Sequence, residues 1–271
     1  MIGAKNPKSP NLFNFKKGVR RSAPKKKKVG TKKVKETPKV PDSVYDELAK
    51  ENRQRFQVEQ TQADLPAQIL CFYDRDFRTQ LSRVFSHLID HPVKQIAVFG
   101  PGRNLSELLF LLEQFPDAKV LAVERNKDAN SYLKAKIKSL GNTHPVILSM
   151  TSRLTLVEGD FMKFFTDDRT KRHTCDLVYF SGHGHYGSMP WEEVPRGQKL
   201  ASIRPILEPL REDQGTFFWV GGFPEWIKIV EQFYLRLQFR AKILEKAEQD
   251  GEIFVFQRKT ARNLERGIRL R

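Results

Sequence analysis

Cysteine is nearly absent: Cys71 and Cys175 are the only two in 271 residues. So sparse a set excludes a disulfide-stapled scaffold and a four-thiolate zinc framework. The sequence also lacks any run of roughly 18 uncharged apolar residues, the length a membrane-spanning helix requires. No secretory signal pattern of a charged region followed by an apolar one opens it. These absences predict a soluble, intracellular protein with no membrane partner. With 39% hydrophobic residues and 20 Phe, the chain has enough apolar material for a sizeable core, which excludes a wholly disordered chain.

Acidic residues are missing from one region in particular. Residues 1–40 hold 14 Lys/Arg against the single acid Glu36, a net +13 of the total +16. Positions 41–271 keep 34 basic and 31 acidic residues, an ordinary balance for a folded domain. The first 40 residues also lack periodic apolar positions and contain Pro7, Pro10, Pro24 and Pro38, so they predict a disordered basic arm. Within it Pro24-Lys25-Lys26-Lys27-Lys28-Val29 resembles a nuclear import signal of the large-T-antigen type. Lys16-Lys17 and Arg20-Arg21 supply the first half of a bipartite one. The run serves an import receptor, or it screens phosphates of nucleic acid or chromatin in a salt-sensitive way, and the two uses can coexist. The nucleus is the expected location.

Residues 41–92 read as a helical N-terminal extension. A polar helix is expected to about residue 60, acting as an adaptor rather than as core, and residues 74–90 place Phe77, Leu81, Val84, Phe85 and Leu88 at amphipathic helical spacing. From residue 93 to 258, short β-rich runs alternate with helical patterns. Strands are expected at Gln95–Phe99, Val120–Val123, Leu154–Val157, Asp176–Phe180 and Thr216–Val220. Helices are expected at Leu105–Gln114, Lys127–Ser139, Leu200–Leu210 and Glu225–Leu237, with a short segment near Phe161–Phe165. Two further runs, Phe239–Leu244 and Ile253–Gln257, flank the turn-prone Gln249-Asp250-Gly251 and read as an antiparallel hairpin. The fold class is therefore α/β: a Rossmann-like, seven-stranded, mostly parallel sheet with helices on both faces and a C-terminal antiparallel hairpin. Residues 259–271 form a basic C-terminal tail, either a second phosphate-contacting surface or a solvated helix.

In such sheets ligands bind beyond the carboxyl ends of the strands. The first strand runs into Gly100-Pro101-Gly102-Arg103-Asn104 ahead of a helix, where glycines let backbone approach a ligand; the plainer alternative is a tight strand-to-helix turn. The second ends at Glu124, a carboxylate able to accept from a ribose diol. The third ends in Gly159-Asp160-Phe161, where Asp160 either accepts from an adenine amino group, with Phe161 or a neighbour on the ring, or caps a helix. The fourth enters Ser181-Gly182-His183-Gly184-His185-Tyr186, two imidazoles in a glycine-rich segment. His183 and His185 are candidates to take a proton from an attacking nucleophile; a metal role is weaker, because no further ligand cluster accompanies them. Trp219, Gly221, Gly222, Phe223 and Trp226 either line an acceptor pocket or belong to the core.

The Gly-x-Gly turn, strand-end Glu124, Gly159-Asp160 and the terminal hairpin together resemble the class I S-adenosylmethionine-dependent methyltransferases over roughly residues 70–258. The resemblance implies S-adenosylmethionine over Gly100 and Gly102, its ribose at Glu124, its adenine near Asp160 and Phe161, and Ser181 at its margin. Val98-Phe99-Gly100-Pro101-Gly102-Arg103 and Ala122-Val123-Glu124-Arg125-Asn126 are further similar to the first two motifs of the symmetric-type protein arginine methyltransferases. There the turn arginine meets the cofactor's carboxylate, a role that would fall to Arg103. This chain departs from that subfamily after strand four, where Ser181 is followed by Gly182 rather than by Glu.

The expected activity is methyl transfer to a nuclear macromolecule, protein or RNA. The alternative is a noncatalytic scaffold of the same fold that binds nucleic acid or a protein partner, because Val98 stands where the usual acid precedes the turn. A nicotinamide oxidoreductase is disfavoured by the hairpin. Deleting residues 1–40 is expected to flatten the salt dependence of nucleic-acid binding and to abolish nuclear accumulation. Filter binding across a salt series and imaging of a tagged chain check both, and import that persists without the arm contradicts the assignment.

Overall fold

In the computed structural model, the described residues are 39–62, 75–164, 173–181, 196–222, 227–233, 235–242 and 252–258. The chain divides into Met1–Glu36 and Thr37–Arg271, and all of the first unit, with the import motif, lies outside the described residues; of the basic arm at 1–40 only Lys39 and Val40 are described, and Val40 is buried in the core.

Seven strands form one sheet: β1 (Gln95–Phe99), β2 (Lys119–Glu124), β3 (Leu154–Glu158), β4 (Leu177–Ser181), β5 (Thr216–Gly222), β6 (Leu235–Lys242) and β7 (Glu252–Arg258). Their order is β3-β2-β1-β4-β5-β7-β6. The first five run parallel, with Val98 opposite both Ala122 and Tyr179. β7 lies antiparallel between β5 and β6. Strand order reverses between β1 and β4, so their carboxyl ends flank the crevice such sheets use for ligands.

Side chains alternate across the sheet, which divides the core into two layers. Ile96, Val98, Tyr179, Phe218 and Val255 enter one cluster; Ala97, Phe99, Val178, Phe180, Phe217, Trp219, Phe254 and Phe256 enter the other. The first is covered by α1 (Asp42–Gln62), α2 (Arg75–Leu88), α3 (Leu105–Gln114), α4 (Lys127–Thr143) and α5 (Pro145–Thr151). The second is covered by α6 (Phe161–Phe164), α7 (Arg196–Leu207) and α8 (Ile227–Val230). Continuous apolar strands such as Ile-Ala-Val-Phe at 96–99 are thus buried on both faces.

The expectation that the first helix stands apart from the core is corrected. Val44, Tyr45 and Leu48 are buried in the first cluster. Tyr45 donates to Glu113 Oε2 on α3 at 2.9 Å, and the Arg78 guanidinium of α2 lies 3.7 Å from the Tyr45 ring centroid while pairing with Asp42. Burial is the main cause that raises the Glu113 carboxyl above its ordinary range. Phe85 then stacks among Phe110, Phe115 and Phe218 and ties α2 to the sheet.

Two other elements differ from expectation. The helix expected over Glu225–Leu237 ends at Val230, followed by a 3₁₀ turn at Glu231–Phe233 and by β6. Ile229, Val230 and Phe233 have helical spacing, but from Leu235 the pattern becomes period two, with Arg236, Gln238 and Arg240 exposed, and pairing with β7 prevails. Pro145 starts α5, which the sequence pattern leaves unmarked; proline suits a first helical turn because its missing N–H has no partner there anyway.

At the amino ends of the strands, Asp176 Oδ2 accepts from the Lys94 and Gln95 N–H groups. Arg153 donates to the carbonyls of Leu112, Phe115 and Ala118, closing the carboxyl end of α3. Cys175 is buried in this lower region, and burial pushes its thiol up to about 11, which keeps it protonated and unreactive. No described helix is long and apolar enough to cross a membrane.

Leu48→Ala tests the corrected role of α1. Because Leu48 is 2% exposed, the substitution should cost about 2–5 kcal/mol in denaturant unfolding, whereas a cost below about 1 kcal/mol would mean α1 is a detachable adaptor.

Candidate cofactor site

The turn after β1 takes its shape from two glycines. Gly100 and Gly102 have φ of +60° and +57°, a region L side chains rarely adopt. A Cβ built on either would meet nothing within 4 Å among the described residues, so backbone conformation rather than crowding from them demands glycine, and they leave open space above both. The plain-turn alternative is therefore right about the local chain path, and the space beside it is what a ligand requires.

Glu124 organises the strand ends. It is 7% exposed, with Oε2 accepting from Gly102 N–H at 2.9 Å and Oε1 from Asn126 N–H at 2.7 Å. Its backbone carbonyl accepts from Gly159 N–H at 3.1 Å and from Asn130 Nδ2 at 2.8 Å. Gly100 N–H reaches the carbonyl of the preceding Val123 at 3.0 Å. One residue thus links the exits of β1, β2 and β3. A carboxylate has about four acceptor positions, so each oxygen keeps capacity for a ligand hydroxyl beside its backbone donor.

Asn126 fixes the approach to α4: its side chain accepts from Asp128 and Ala129 N–H groups at 2.9 and 3.1 Å, an N-cap. The cap residue stands two positions after Glu124 and so holds the end of β2 in place. Arg103 lies in the glycine turn, its guanidinium carbon 5.8 Å from the Tyr132 ring centroid on α4.

The remaining expected residues are placed as follows. Asp160 directly precedes α6, and its carbonyl accepts from Lys163 and Phe164 N–H groups at 3.0 Å, so the helix-entry alternative describes its backbone. Phe161 packs on Phe99 and Phe180, with ring centroids 5.3 and 6.1 Å apart, at the tips of β1 and β4. Ser181 is the last residue of β4, opposite Val220. His183, His185, Phe223 and Trp226 lie outside the described residues. Trp219 is fully buried among Phe180, Phe217 and Phe254, which removes it from the acceptor-pocket alternative and assigns it to the core.

Sequence reasoning missed the participation of α1. Asn52 is 3% exposed and donates through Nδ2 to Asn104 Oδ1 at 3.4 Å, while Glu51 Oε2 accepts from the Tyr132 hydroxyl at 2.9 Å. The available signal was the spacing of Val44, Tyr45, Leu48, Ala49 and Asn52, one face of a helix hidden in a largely polar segment.

No protein-family model matches this sequence, and no curated protein matches it. Among solved structures, a protein assigned as an O-methyltransferase from Klebsiella pneumoniae superposes with a TM-score of 0.51 at 14% identity, covering 82% of this chain and 92% of that one. A SAM dependent methyltransferase from Aquifex aeolicus gives a TM-score of 0.46 at 12% identity, covering 81% and 99%. Together with the strand order and the terminal antiparallel pair, the Klebsiella likeness gives this chain the class I methyltransferase fold. At that identity the likeness extends to the fold alone.

Gly102→Ala should cost about 1–2 kcal/mol in unfolding, the price of a left-handed alanine with no added clash. A cost above about 4 kcal/mol would mean the space over the turn is filled.

Proposed function

We propose that this chain binds S-adenosylmethionine at the β1, β2 and β3 exits and transfers its methyl group to a nuclear macromolecule, protein or RNA. The observation that carries the reading is the open, positive-φ turn at Gly100 and Gly102 held against a buried strand-end carboxylate, Glu124. These residues fit the group. The turn backbone gives a nucleoside close approach, Glu124 retains acceptor capacity for a ribose diol, and Arg103 offers a permanent, planar charge for a carboxylate. Asp160 and Phe161 stand at the neighbouring exit for the adenine amino group and ring.

When bound, the cofactor supplies a methyl group on a sulfonium, an electrophile whose transfer depends chiefly on alignment of the nucleophile. Ser181 is the last residue of β4, and His183 and His185, which follow it in sequence, are on this reading the proton acceptors for a hydroxyl or amine. The +13 arm supports a polyanion or chromatin as the environment of the acceptor and an import receptor as a transient partner. A second reading, a scaffold that binds without catalysis, is favoured by Val98, a fully buried core residue where an acid usually precedes the turn.

Calorimetric titration of the full chain separates the ligand classes. S-adenosylmethionine and S-adenosylhomocysteine should bind saturably and nicotinamide dinucleotide should not. Glu124→Ala should weaken S-adenosylhomocysteine by about 1.5–3 kcal/mol, the worth of charge-assisted hydrogen bonds. No binding by folded wild-type chain, or unchanged affinity in a folded Glu124→Ala chain, contradicts the assignment. Binding without methylation of any nuclear fraction selects the scaffold.

A further inference from the structure

The N-terminal helix reaches the glycine turn by two routes. On the first, Asn52 meets Asn104, the last residue of the turn, across 52 positions of sequence, and both side chains are buried. On the second, Glu51 receives the Tyr132 hydroxyl, and the Tyr132 ring has the guanidinium carbons of both Arg103 and Arg55 within 6 Å of its centroid, at 5.8 and 5.6 Å. Lys136, one turn beyond Tyr132, closes this bracket by donating to Glu47 and Glu51 at 2.8 and 2.5 Å. Arg55 also donates to Asn52 Oδ1, which joins the two routes. Burial, then Glu51, raises the Tyr132 hydroxyl above its ordinary range, so it stays protonated as the donor.

An arginine on a short turn has much side-chain freedom to lose before it can hold an anion. A fixed aromatic surface under the guanidinium removes much of that loss in advance. Two guanidiniums near one ring also place positive charge beside the turn, which suits a carboxylate.

We propose that α1 is a wall of the cofactor site, in which Tyr132, held by Glu51, and Asn52, bonded to Asn104, position Arg103 for the carboxylate of the ligand's amino-acid end. The inference rests on the cofactor reading above and adds to it a selectivity: ligands with that carboxylate are preferred over the nucleoside alone. Tyr132 and Asn52 act through Arg103 and are positioning residues.

The test compares two ligands on the full chain by calorimetry: S-adenosylhomocysteine, which carries the carboxylate, and 5′-methylthioadenosine, which has the same nucleoside and sulfur without it. Tyr132→Leu should weaken S-adenosylhomocysteine about 2- to 5-fold and leave methylthioadenosine within error, while Tyr132→Phe, which keeps the ring but loses the Glu51 hydrogen bond, should recover only part of that loss. Arg103→Ala sets the upper limit, a loss of more than about 10-fold confined to S-adenosylhomocysteine. Asn52→Ala should shift the two ligands apart in the same direction, and it carries the comparison if Tyr132→Leu does not fold. Equal losses for both ligands, or no loss for either, overturn the positioning role while wild-type binding keeps the cofactor reading. A folded wild-type chain that binds neither ligand removes the cofactor reading and this inference with it.

Discussion

The upper end of the sheet depends on one carboxylate. Glu124 is nearly buried, and burying an ionised group is costly unless hydrogen bonds replace its water. Backbone N–H groups of Gly102 and Asn126 supply them, and in doing so they fix where the β1 turn and the start of α4 lie. The positive φ values at Gly100 and Gly102 allow the turn to present an N–H to that carboxylate. Turn, acid and helix start are therefore one arrangement: to move any of them is to leave a buried charge unsatisfied.

Around this point the two core layers have different work. The layer of α1 to α5 carries Phe85 with its aromatic neighbours and includes the helix that walls the turn. The layer of α6 to α8 packs Trp219 and five sheet phenylalanines and brings Phe161 onto the tips of β1 and β4. The antiparallel β7 between β5 and β6 closes the far side, and its strands carry none of the candidate site. Rigidity below and open space above the glycines are what a preorganised binding turn needs.

Much of this was legible in the sequence because both signals are local. Strands buried on both faces read as short apolar runs, and Gly100, Gly102 and Glu124 announce themselves at strand ends. What was not legible depends on long-range contact. The α1 helix is mostly polar, so its buried face is known only once Tyr45 finds Glu113 and Asn52 finds Asn104. Leu235 and Leu237 fit a helical stripe as well as an alternating strand, and only pairing with β7 decides between them. Tyr132 carries no motif; its meaning comes from Arg103 and Glu51, which lie far from it in sequence.

The most direct measurement is amide chemical-shift perturbation of the isotope-labelled full chain on addition of S-adenosylhomocysteine. The account predicts that the amides of Gly100, Gly102, Arg103 and Glu124 shift together and saturably, while those of Cys175, Asp176 and Thr216, at the opposite ends of the strands, stay in place. Saturable shifts that spare the Gly100–Arg103 turn, or no shifts at all, would contradict it.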